Sequence, residues 1–222
     1  ENARGSQDKI TKELWEHINS LYHYTNSPEL PKKLETYEAL GVITKLKKDL
    51  LLYNGILHVT MPRGLGWCFS SIGKNIERCL QTIAMTQSYY KPIDYNLDGE
   101  EDLLYWRRLL LSLSGYEQYL KSYSNISHNR KIAQHVVFNK DFSHSVMYTL
   151  ELIDKYLANL SLDHTSHEAR TLQNQFGRLK SMVKYTDYYN LTNQQLEDVL
   201  NDTQSQLIQF SSDFSKLFFS YT

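Results

Sequence analysis

The residues best placed to do chemistry lie in one stretch, Arg63 to Arg78, which reads RGLGWCFSSIGKNIER. Helical spacing at Leu65, Phe69, Ile72, Ile76, Leu80 and Ile83 marks a buried stripe. Beside it runs a second stripe, Gly66, Ser70, Gly73, Glu77, Gln81 and Ala84, four of whose members are small. Small residues in a row admit another helix at close range, and the ~1 kcal/mol helix cost of Gly73 is tolerable for that purpose. The spacing therefore predicts Glu77 on a groove floor, largely buried and within reach of a cation. Arg63, Lys74, Arg78, Arg107 and Arg108 are the candidate partners. An unpaired buried carboxylate would cost several kcal/mol.

Three roles suit that pattern. Glu77 and an arginine can form an ion pair that fixes helix register. They can form a site that holds or activates a carboxylate or amide, because guanidinium groups recognise carboxylates in bidentate fashion. The face can also simply be solvated. Arg63, Trp67, Gly73, Glu77 and Arg78 are the candidate binding or structural ion-pair residues, and no residue is assigned a catalytic role.

The elements that must position these residues are helices. Ile10, Leu14, Ile18, Leu21 and Tyr22 make an amphipathic helix ending near Ser27-Pro28, and Pro31 starts a second that runs to Met61-Pro62. A third spans about 64–90. A loop around "DYNLDGEED" leads through acidic Glu100, Glu101 and Asp102 into a fourth, about 102–123. Shorter helices follow near 129–137 and 143–160, then 163–185. The last, 192–221, carries one apolar stripe from Leu196 through Phe210 and Phe214 to Tyr221. Strand-like alternation is nearly absent, and "HVVF" at His135 is too short to carry a sheet. The expected architecture is all-α: a single multi-helix bundle of long antiparallel helices, one domain over residues 1–222.

Composition narrows the function classes. Lys+Arg is 24 and Asp+Glu is 25, a net charge of −1, which supplies no electrostatic argument for nucleic acid or an anionic membrane. No run reaches the ~18 apolar residues of a membrane span. Cys68 and Cys79 sit eleven residues apart on one helix, about 16 Å at ~1.5 Å per residue, too far for a disulfide. Free thiols suit a reducing compartment, so the expected location is cytoplasmic. Sequons at Asn125, Asn159, Asn190 and Asn201 pull weakly the other way. No Glu-x-x-His pair supports a di-iron centre, and His164-x-x-His167 with Glu168 reads as a solvated helix start. No phosphate loop, nucleophile elbow or cysteine knuckle appears, so neither a metal nor a cofactor is expected.

The segment Tyr53–Thr82 resembles the Alpha-E family, a bacterial helical domain. The family pattern of a Gly before Thr-Met, an Arg, a Trp-x-Phe and a Gly-x-x-x-Glu-Arg falls on Gly55, Thr60, Met61, Arg63, Trp67, Phe69, Gly73, Glu77 and Arg78. The likeness continues through "ENAR", "ELWEHINSLY" and "YWRRLLLSLSGYEQYLKSY". Two departures stand out: Ser143-His144-Ser145 replaces the usual Pro-Arg-Ser, and Lys74-Asn75 replaces a common Arg-Tyr pair. The resemblance implies that full-length members begin with an earlier helix bearing a similar signature, which this chain, starting at Glu1, is expected to lack. It also implies partners, because Alpha-E genes sit beside or fused to circularly permuted ATP-grasp ligases, often with a transglutaminase-like protein. The implied role is as helical partner or substrate-handling module in ATP-dependent peptide or amide-bond modification, with no turnover of its own. The alternative is an enzyme acting on the ligase's substrate or product through an Arg/Glu site.

Overall fold

The computed structural model describes residues 5, 8, 10–99, 101–123, 128–160 and 167–219. Expectations placed on Glu1 to Arg4, Glu100, Asn125, Asp163, His164 and Tyr221 lie outside them. The described residues are helical with no strand, so the protein is all-α. Two compact units divide the chain, residues 1–67 and 68–222.

The first unit holds α1 (Lys12–Thr25), α2 (Leu30–Leu34) and α3 (Ala39–Thr60), with α3 packed on both others. Thr11 caps α1 by accepting from the Leu14 N–H, and its hydroxyl meets that of Thr60 at 2.8 Å. The single helix expected from Pro31 to Met61 is broken between α2 and α3. The hydroxyl of Thr36 donates to the Lys33 carbonyl and accepts from the Glu38 N–H, offering the backbone a local alternative to helix. Among the described residues of this unit, only Leu14, Val42, Leu57 and Trp67 are buried apolar residues. Leu40, Ile43, Leu50, Leu51, Leu52 and Val59 of α3 are all more than half exposed.

In the second unit, α4 (Leu65–Tyr90) continues from the end of the first unit. It is followed by α5 (Leu103–Ser112), α6 (Tyr116–Ser122), α7 (His128–Ala133), a π-helical turn (Gln134–Phe138), α8 (Val146–Asn159), α9 (His167–Lys184) and α10 (Asn193–Phe219). Asp102 caps α5 by accepting from the Tyr105 N–H. The expected helix over 102–123 is split, because Ser114 takes a left-handed conformation (φ 55°) and Gly115 N–H returns to the Leu110 carbonyl at 2.7 Å. That is a Schellman-type stop. Gly115 is needed there for space, since a Cβ would stand 2.6 Å from the Phe142 ring.

The core draws Ile72, Ile76, Cys79 and Ile83 from α4, Trp106, Leu109 and Leu110 from α5, and Leu150, Ile153 and Leu157 from α8. Along α9 and α10, which pack together, Phe176 meets Phe210 at 4.8 Å between ring centres. The α10 stripe is buried at Leu196, Leu200, Thr203, Leu207, Phe210 and Phe214, alternating spacings of four and three. Both cysteines are free and buried, and burial pushes the Cys79 thiol up to about 12. One polar centre anchors this core. Buried Asn129 accepts from Trp106 Nε1 at 2.9 Å, and its amide donates to the Asn96 carbonyl and to Glu101. Its own carbonyl receives the Tyr90 hydroxyl.

All five residues of the π turn are buried. His135 stacks on Phe142 at 4.4 Å, with Tyr119 and Tyr123 set edge-on, and its Nδ1 faces Asn139 Nδ2 at 3.3 Å. Burial pushes its imidazole pKa down to about 4, with the Gly115 backbone working the other way. The unfolded chain therefore takes up this proton more readily than the fold does. Stability on this account is complete above the ordinary histidine pKa of 6.5 and falls as pH drops from there toward 4, by roughly 3 kcal/mol in all. Urea unfolding series across that window should show the loss, and NMR should find the His135 ring neutral at pH ~5.5.

Candidate functional site

The five residues singled out in the sequence fall in two units. Arg63 and Trp67 belong to the first unit, where the guanidinium lies 3.7 Å over the indole and donates to the His58 carbonyl at 2.6 Å. The His58 ring stands edge-on to the same indole at 5.7 Å. Arg63 is thereby engaged by an aromatic face and a carbonyl, a cation–π arrangement.

Gly73, Glu77 and Arg78 lie on the second-unit part of α4. Its buried face carries Ile72, Ile76 and Ile83 as expected, joined by Cys79, whereas Phe69 and Leu80 are half-buried and Leu65 is exposed. The small-residue stripe is another matter. Gly73, Glu77, Gln81 and Ala84 are exposed, and a Cβ at Gly73 would meet nothing within 4 Å. Glu77 was expected to be buried and paired; it is solvated, with no ion pair among the described residues. The reason is helical phase. The core claims the face about 71–72, 75–76, 79 and 82–83, and the stripe of Gly73 and Glu77 points away from it.

The core side of α4 also carries a polar row. Ser71, Asn75, Thr82 and Thr86 are buried, and Arg78, half-buried, falls between Asn75 and Thr82 at spacings of three and four. The Thr82 hydroxyl donates to the His144 carbonyl at 2.8 Å, which ties α4 to the segment before α8. Asn75 donates to the Ser71 carbonyl, while its Oδ1 is buried without a partner. Ser145 caps α8 by accepting from the Tyr148 N–H and donates its own proton to the Asn139 carbonyl. The hydroxyl of Ser143 and His144 Nδ1 lie 3.2 Å apart.

This scaffold gathers positive charge. Burial lowers the Arg78 pKa, with the Tyr148 hydroxyl acting in the opposite sense. Lys74 is lowered by burial and then by Arg78, and His144 likewise. Among the described residues, neither Lys74 nor Arg78 forms an ion pair with a carboxylate. Two cations and a titratable imidazole thus share one locality with their charge uncompensated. Such a locality can take a carboxylate or another oxyanion, and the orphan Asn75 Oδ1 on the same helix face is a free acceptor.

Residues 1–219 match the model of the Alpha-E family, a predicted alpha-helical domain with a conserved ER motif. The chain belongs to the Alpha-E family. No curated protein and no solved structure matches it. The dipeptide Glu-Arg occurs once in the sequence, at Glu77-Arg78, so the family's named motif falls on the centre of this cluster. The two members of that motif have different surroundings here: Arg78 turns toward the loop and α8, Glu77 toward solvent. Lys74 and His144 meet at Arg78, whose charge acts on both. Tyr148 and the acceptor of Asn75 escaped the sequence reading. The polar spacing Ser71, Asn75, Arg78, Thr82 was the available signal for Asn75; Tyr148, on α8, left none.

Two outcomes follow from this geometry. Gly73→Ala should stabilise the fold by about 0.5–1 kcal/mol, the helix cost of an exposed glycine, and Glu77→Ala should change stability by less than about 0.5 kcal/mol. Chemical denaturation checks both. Because Arg78 holds the His144 imidazole below its ordinary pKa, Arg78→Gln should raise that pKa. The rise should be partial, since burial is the larger cause. An NMR titration of His144 reads the shift.

Proposed function

We propose that this Alpha-E protein is a helical partner of an ATP-grasp ligase in peptide or amide-bond modification, handling substrate and performing no turnover itself. The observation that carries the reading is the outer side of α3. Leu40 is 75% exposed, Ile43 57%, Leu50 55% and Leu51 64%. A shallow groove of about 380 Å³ runs along Ile43, Leu46, Leu50 and Leu51, flanked by Lys47 and Asn54. An apolar stripe of that kind on a helix surface is what a protein partner covers. The uncompensated cations at Arg78 and Lys74 fit the second half of the proposal, retention of an acidic peptide end while the ligase acts. The buried free thiols of Cys68 and Cys79 accord with work in the reducing cytoplasm.

Co-expression with the ligase encoded beside the gene tests this. The two proteins should co-purify, and Ile43→Glu with Leu50→Glu should abolish co-purification without lowering the melting temperature. Mass spectrometry of the products should show reduced modification with Arg78→Gln. The same pull-down should be run against a neighbouring transglutaminase-like protein. Failure to co-purify, combined with conversion of a peptide by the isolated protein, would replace the partner reading with an enzymatic one. Equal product yield without this protein would remove both.

A further inference from the structure

The second unit contains a cleft unrelated to the sequence motifs. It measures about 550 Å³, within the range of small-molecule sites. One wall is the π-helical turn, which turns Gln134 and Phe138 toward the cleft. π turns interrupt α-helices rarely and recur at functional sites. Here the turn lets one five-residue segment serve two surfaces, since His135 is packed against Phe142 while Gln134 and Phe138 line the opening.

From Phe138 an aromatic run continues along the lining. Phe138 stacks on Tyr188 at 5.6 Å with 22° between planes, and Tyr188 lies 4.4 Å from Tyr189. Met147 and Val183 contribute apolar surface. Three lysines complete the lining, Lys131, Lys140 and Lys184, against one acid, Asp141. None of the three is in an ion pair among the described residues. Lys131 is steered by Gln134 Oε1 at 3.2 Å. Tyr123, whose phenol is held neutral by a pKa raised through burial, adds a hydroxyl donor. Donors and positive charge outnumber acceptors, and the aromatic ladder offers a flat surface.

We propose that this cleft binds a small multivalent anion, a molecule with at least two carboxylate or phosphate groups, seated between the three lysines and the Tyr188–Tyr189 pair. The site is distinct from the Arg78 cluster and stands independently of any ligase partnership. A charge-assisted contact is worth enough to make each lysine matter about tenfold in affinity.

Isothermal titration of the full chain with sodium citrate and, separately, sodium pyrophosphate at constant ionic strength tests the proposal. Saturable binding of one equivalent is expected for at least one probe. Citrate alone would identify a carboxylate ligand and pyrophosphate alone a phosphate ligand. Lys140 and Lys184 are both exposed. The K140A/K184A variant should therefore keep its melting temperature and bind about 100-fold more weakly. Exposed Lys91, outside the cleft lining, serves as control, and Lys91→Ala should leave affinity unchanged. In the wild-type protein, amide shifts should move at Lys140, Tyr188 and Tyr189. No saturable heat with either probe, undiminished binding by the double variant, or shifts confined to Lys74, Arg78 and His144 would each overturn it.

Discussion

One buried amide side chain organises the second unit. Asn129 satisfies the Trp106 indole, and its own two amide protons are taken by the Asn96 carbonyl and Glu101. It thereby joins α5, α7 and the loop after α4 through a single residue, and its carbonyl holds the end of α4 through Tyr90. Tyr90, Trp106 and Asn129 are buried, while Asn96 and Glu101 reach toward the surface. Loss of any member strands a polar partner at about 1–3 kcal/mol. The entry of α7, and with it the π turn and the loop to α8, is set by this centre. Arg130, the next residue, extends the hold by donating to the Leu191 carbonyl and pairing with Asp98.

The loop from Asn139 to Ser145 then serves two places at once. At its start, Asn139 caps the turn by accepting from the Asp141 and Phe142 N–H groups while facing His135, and it borders the lysine-lined cleft. At its end, His144 approaches Arg78 and is fastened to α4 by Thr82. The bond from Ser145 Oγ to the Asn139 carbonyl closes the loop on itself.

Helix content and the core of α10 were legible because a stripe repeated over many turns has one interpretation. Leu196 to Phe214 is buried where the spacing put it. The α5–α6 break was signalled by Ser114-Gly115, yet the apolar pattern on either side ran smoothly through it. Glu77 shows a deeper limit. Gly73 and Glu77 share a helix face, but sequence spacing does not say whether a neighbour stands against that face, and among the described residues none meets Gly73. Arg78, one residue on and 100° around the helix, is the member of the motif that meets the loop. The π turn left no trace in the periodicity, because one wide turn shifts the phase without changing residue type.

Cys79 lies fully buried on α4, one residue past Arg78, with its thiol held far from ionisation. Alkylating agents and disulfides react with thiolates, so in the folded protein this sulfur is chemically silent. An oxidising burst that would modify an exposed cysteine leaves it untouched, and it reacts only in molecules whose core has opened. The centre of α4 thus carries its own clock: the rate at which Cys79 becomes reactive is the rate at which the core around the family motif comes apart.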